Sequence, residues 1–260
     1  MTSPFFNPKL KISRGRHHIA SLESEIANYL SRDPSALLLQ IDRNTGQHRI
    51  AMKGREDIPD SFGPIFGDAV HNFRAALDIL ANELVSLSGS QPRKAYFPFA
   101  DTADGLEDQI KQKMRGAAAD IVNAIRALKP YRGGNETLRA LHDLDISDKH
   151  ISILQIASTG MTGALPMRQV SYERISGDKP NRIRLKADFS KIAFTPIDLT
   201  GFSPDPPGIE TLGKMTGSSI EIAIAKGLPF AGIEAIKTLN GLGDIAKNIV
   251  ETFETLCLRR

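Results

Sequence analysis

From Phe62 to Ser88 the apolar residues recur in alternating steps of four and three: Phe66, Val70, Phe73, Leu77, Leu80, Leu84 and Leu87. This spacing predicts an amphipathic helix over 62–88 whose seam faces a partner, so the rest of the chain must supply apolar surface to cover it. At about 100° per residue, Asp68, His71, Ala75, Asp78 and Asn82 form one polar stripe nearly opposite that seam. Arg74 lies on the shoulder between the two, four residues before Asp78. A solvated helix face is usually built from Lys, Glu and Gln. One reading is a solvated face carrying an Arg74–Asp78 pair. The shorter side chains here also suit a stripe that another element covers, and a covered stripe must be hydrogen-bonded or charge-paired.

The flanking segments can be read the same way. Residues 14–31 have helical spacing, and Asp33-Pro34 ends them. Leu37, Leu39 and Ile41 alternate against Ile50 and Met52 around Asn44-Thr45-Gly46, which predicts a hairpin. Tyr96-Phe97-Pro98-Phe99 reads as extended and buried, because Pro98 disfavours helix at Phe97. Helices are expected over 103–114, 117–128 and from an Asn135 cap to about 147. The segment 151–157 fits a strand or a buried helix end. Residues 168–175 and 181–187 read as a hairpin, and Ile220, Ile222 and Ile224 as a strand. A short helix over 231–240 and a last one over 243–258 follow, with Gly241-Leu242-Gly243 as the start of the latter. The expected fold is therefore α+β, a helical bundle packed beside an antiparallel sheet. Its parts are residues 1–157, which carry the polar cluster, and 158–260, β-rich and closed by a helix, in one compact unit.

Charge narrows the function classes. The net charge is +3 over 260 residues, spread without a concentrated basic excess, so charge does not indicate a nucleic-acid binder. One cysteine, Cys257, suits a reducing compartment. No apolar run reaches the roughly 18 residues of a membrane span. The expectation is cytoplasmic, without membrane association. The partner is unknown, and nucleic acid and a second copy of the chain both stay open.

The second polar feature is Leu141-His142-Asp143-Leu144-Asp145-Ile146-Ser147-Asp148-Lys149-His150. If the helix from Asn135 continues, Asp145 and Asp148 share a face with Leu138, Leu141 and Leu144, and inward carboxylates need cations or donors. Arg74, His71, Lys149 and His150 are candidate suppliers. The expected contact is Asp148 or Asp145 against Arg74. Such a cluster fits a buried structural network that includes Asp68, Asp78, Asp145 and Lys149. It equally fits a catalytic set of Arg74, Asp148, His150 and His71 for phosphoryl chemistry. A metal set from His71, Asp78, His142, Asp145 and His150 lacks an HExxH or ExxH pair, so no metal and no cofactor are expected.

Gly67-Asp68-x-x-His71-Asn72-x-Arg74-x-x-Leu77-Asp78, with Asp148-Lys149-His150 some way downstream, resembles a group of bacterial and phage-borne hypothetical proteins. These carry an "LRSALDHL"-like helix and a later "DKHR"-like segment. Here Ile79 and Ile151 replace the second histidine and the terminal arginine of that pattern. The resemblance implies a cytosolic bacterial setting. For the analogy to HEPN-type ribonucleases, the literal match of Arg43 and His48 falls inside the expected hairpin and is set aside, and Asp148-Lys149-His150 with Arg74 is the analogous set. Three functions follow as expectations: a non-catalytic accessory or interaction protein, a metal-independent ribonuclease or toxin-like phosphodiester-acting enzyme, and a small-ligand or metal-binding helical domain.

Overall fold

The computed structural model describes residues 4–32, 35–44, 48–54, 58–90, 95–150, 156–159, 164–165, 171–175, 182–186, 209–215, 221–225 and 227–259. Among them α1 (Phe6–Ser31) buries Pro8, Ile12, Gly15, Ile19, Leu22 and Tyr29, a seam with the same steps of four and three as α2 (Phe62–Leu87). The helix begins well before residue 14 because Phe5, Pro8 and Ile12 are also buried, and proline is tolerated in a first turn. The two helices run antiparallel. Lys11 reaches Asn72 and the Ser61 hydroxyl donates to Glu25. Tyr29 meets Phe62 edge-to-face at 5.8 Å, a favourable aromatic geometry.

The last helix, α6 (Ala235–Leu258), closes this pair. Lys9 bonds Glu254 at 2.6 Å, and Arg16 bonds Asn240 at 2.6 Å and Asp244 at 2.5 Å. The expectation of two helices meeting at Gly241-Leu242-Gly243 is corrected, because one helix runs through both glycines. Gly243 is there for closeness: a Cβ on it would lie 2.8 Å from the Phe73 ring and from the Arg16 guanidinium. Gly15 faces the same Phe73 ring from α1. Two glycines thus let three helices converge on one phenylalanine.

The remaining helices are α3 (Ala103–Lys113), α4 (Ala119–Leu128) and α5 (Glu136–His150). Asn135 accepts from the Leu138 amide at 3.0 Å as the expected cap. The closely packed pairs are α1 with α2 and α6, α2 with α5 and α6, and α6 with α4 and α5. Between α2 and α3 runs an extended strap, 95–100, with Ala95, Phe97, Pro98, Phe99 and Ala100 buried and Tyr96 exposed.

The α+β expectation, a bundle packed beside an antiparallel sheet, is overturned: the described residues are mostly helical. The alternating segments do pair. β1 (Ser35–Asp42) and β2 (His48–Gly54) are antiparallel, with Leu37 opposite Met52 and Leu39 opposite Ile50. β3 (Ile156–Thr159) pairs with β8 (Glu221–Ile224), and β5 (Ser171–Ile175) with β6 (Arg182–Lys186). However, β6 lies parallel to β7 (Ile209–Met215), so the pairing is mixed, and β4 (Ala164–Leu165) joins at β2. Among described side chains the strands give the hydrophobic core cluster only Ile222 and Ile224. The reason lies in α2, which buries fifteen residues on nearly every side. Among the described residues, helices and the strap cover it.

Candidate functional site

The polar stripe of α2 divides into a covered half and an open half. The strap supplies the cover. Asn82 clamps Ala95 in both directions, donating to its carbonyl at 2.5 Å and accepting from its amide at 3.2 Å. One turn earlier, Asp78 Oδ1 accepts from the Phe97 amide at 2.9 Å. Towards the start of the helix, Asp68 and His71 are exposed.

Arg74 is sealed beneath the strap, with its side chain 8% exposed. Its Nη1 forms an ion pair with Asp78 Oδ1 at 2.5 Å, although that nitrogen makes no well-aligned hydrogen bond. Its Cζ stands 4.6 Å from the centre of the Phe99 ring, and its Nε donates to His142 Nδ1 at 3.4 Å. His142 stacks on that same ring, 4.5 Å away and tilted by only 4°. Burial pushes the imidazole pKa down to about 4, and the Arg74 and Arg139 guanidinium groups push the same way. His142 is therefore neutral near pH 7.

The expected contact of Arg74 with Asp145 is not made, and the alternative contact with Asp148 lies outside the described side chains. Arg74 finds its carboxylate four residues along its own helix, and buried Asp145 instead meets His71 Nδ1 at 2.9 Å. The two polar segments do touch, through His71 with Asp145 and Arg74 with His142. Lys113, half-buried beside them, has its pKa lowered by burial and by Arg74. Asp68 sits near His18, whose pKa burial lowers while Asp68 opposes the shift. The backbone of α5 carries positions 148–150 one turn beyond Asp145. The side chains of Asp148, Lys149 and His150 lie outside the described residues, as does any contact of theirs.

Several participants escaped the sequence reading. Arg139, 6% exposed, donates Nε and Nη2 to Asp143 at 3.0 and 2.8 Å and Nη1 to the Ala100 carbonyl at 2.6 Å. The same Nη2 lies 3.0 Å from Asp101, a carboxylate that is 80% exposed. Arg132 joins both acids, at 3.0 Å from Asp143 and 3.6 Å from Asp101. A signal for Arg139 existed: it lies between Leu138 and Leu141, at the edge of an apolar stripe, four residues before Asp143. Between α3 and α5 an open cleft of about 430 Å³ is lined by Asp101, Thr102, Gln109, Arg139, His142 and Ile146.

No family model, curated protein or solved structure matches this chain. The site's chemistry must therefore come from its own geometry. Among the described residues, no three His, Cys, Asp or Glu side chains stand close enough to hold a metal ion. No described helix is long and apolar enough to cross a membrane.

Proposed function

We propose that this is a non-catalytic accessory or interaction protein in which the Arg/Asp/His network is a structural tie. The observation that carries the reading is the enclosure of Arg74. Its guanidinium is packed against Phe99, paired with Asp78 and bonded to His142, so a phosphate in solvent has no route to it. Asp78 in turn holds the strap through the Phe97 amide. The arrangement supports a role in fixing strap, α2 and α5 against one another. A cytosolic bacterial setting is part of the proposal, supported by the lone Cys257 and by the resemblance of the α2 and α5 segments.

One observation favours a phosphodiester-acting enzyme as the second reading. His71 is half exposed and its Nδ1 rests on Asp145, which is 5% exposed. A buried acid that orients an accessible imidazole is the arrangement of a general base. Incubating purified protein with single-stranded RNA separates the readings. The expected result is no cleavage. Cleavage by the wild type that disappears in His71→Gln, with the fold intact by circular dichroism, would replace the structural reading with the catalytic one.

A further inference from the structure

His71 does not line the cleft between α3 and α5, and the polar groups that do line it are not all used up. His142 accepts from Arg74 at Nδ1, so the neutral ring carries its proton on Nε2. No described residue accepts from that N–H. The Thr102 hydroxyl accepts from the Gly105 amide at 3.2 Å, which leaves its own proton to donate. Arg74, Arg139 and Lys113 all oppose a charge on His142, and Asp143 favours one.

Asp101 is the telling residue. Its carboxylate rests on Nη2 of buried Arg139 at 3.0 Å while being 80% exposed. The Asp101 end of the pair stands in water while Arg139 keeps Asp143 as a closer counter-charge, so another anion can exchange with Asp101. We infer that the cleft binds a small organic carboxylate, which replaces Asp101 on Arg139 and takes donors from His142 Nε2 and Thr102. Its apolar body would lie along Ile146, a cleft-lining side chain that is 39% exposed. Charge and donor count favour a carboxylate over phosphate. Asp143 and the Ala100 carbonyl already occupy most of the Arg139 donors, which leaves too little compensation for a dianion. The inference stands whether or not the network beside it is catalytic.

The test is a nuclear magnetic resonance titration of the full chain with benzoate, inorganic phosphate and benzylamine, following the His142 imidazole signals. Benzoate is expected to shift them and to bind more tightly than phosphate, with no response to benzylamine. Asp101→Asn, an exposed change that leaves the core untouched, should tighten benzoate binding severalfold. His142→Phe keeps a ring on Phe99 but removes the donor, and should weaken binding roughly tenfold, the equivalent of one hydrogen bond to a charged group. Unmoved His142 signals, phosphate binding more tightly than benzoate, or weaker benzoate binding in Asp101→Asn would each overturn the assignment. The last result would mark a cation site instead.

Discussion

Arg74 and Asp78 form a pair whose members are unequally dependent on each other. Asp78 is 26% exposed and keeps the Phe97 amide as a donor when the arginine is gone, whereas Arg74 without Asp78 is a buried cation lacking its counter-charge. Asp78→Ala should therefore cost about 3–5 kcal/mol, and Arg74→Met markedly less, as read from urea denaturation midpoints. Equal losses would contradict the asymmetry. His142 gives a pH prediction. Its folded pKa of about 4 lies below the ordinary 6.5, so between those values the unfolded chain holds a proton that the folded one lacks. Stability should then fall as pH drops from about 6.5 towards 4. His142→Phe should flatten that part of the profile of melting temperature against pH, while the carboxylates titrate alike in both proteins. At this scale the sequence pointed to cover over part of the stripe, because short polar side chains stand where Lys and Glu usually do. It could not say what supplies that cover. Asp78 and Asn82 are held under the strap, while Asp68 and His71 stay exposed. One donor to Asp78 is a backbone N–H, which carries no residue identity, and the other is Arg74, one turn away on the same helix.

At the scale of elements, α1 and α2 were legible because their seams repeat in the same steps, and β1 with β2 because alternation and a turn coincide. The misreading at Gly241-Leu242-Gly243 has a definite cause. Glycine's cost to a helix is visible in any sequence, but its benefit appears only when the opposing side chain is known. Here that side chain is Phe73, which lies against Gly15 and Gly243 together. The two glycines of α6 should consequently respond in opposite directions. A Cβ at Gly241 meets nothing within 4 Å, so Gly241→Ala should stabilise by about 0.5–1 kcal/mol through helix propensity. Gly243→Ala pushes on Phe73 and Arg16 and should destabilise by about 1–3 kcal/mol. Denaturation curves of the two variants decide it, and stabilisation by both would mean that α6 does not approach α1 and α2 as closely as described.

For the whole molecule, the decisive fact is that the chain's last helix is bound to its first. Lys9 with Glu254 and Arg16 with Asp244 lie on the rim, while Leu242, Val250 and Phe253 of α6 are fully buried in the core that α1 and α2 share. Alternation in the sequence suggested a bundle packed beside a sheet, but alternation predicts pairing between strands, not which surface closes the core, and among the described residues α6 closes it with a helix. Releasing α6 would expose the α2 seam together with α1. The helices should then unfold as one unit even though α6 and α1 stand at opposite ends of the sequence. Phe253→Ala, which empties a site with no solvent exposure, should cost about 3–5 kcal/mol. It should also lower hydrogen-exchange protection in α1 and α2 as much as in α6. Protection lost in α6 alone, with α1 and α2 unchanged, would show that the closing helix opens independently and that the core is two cooperative pieces.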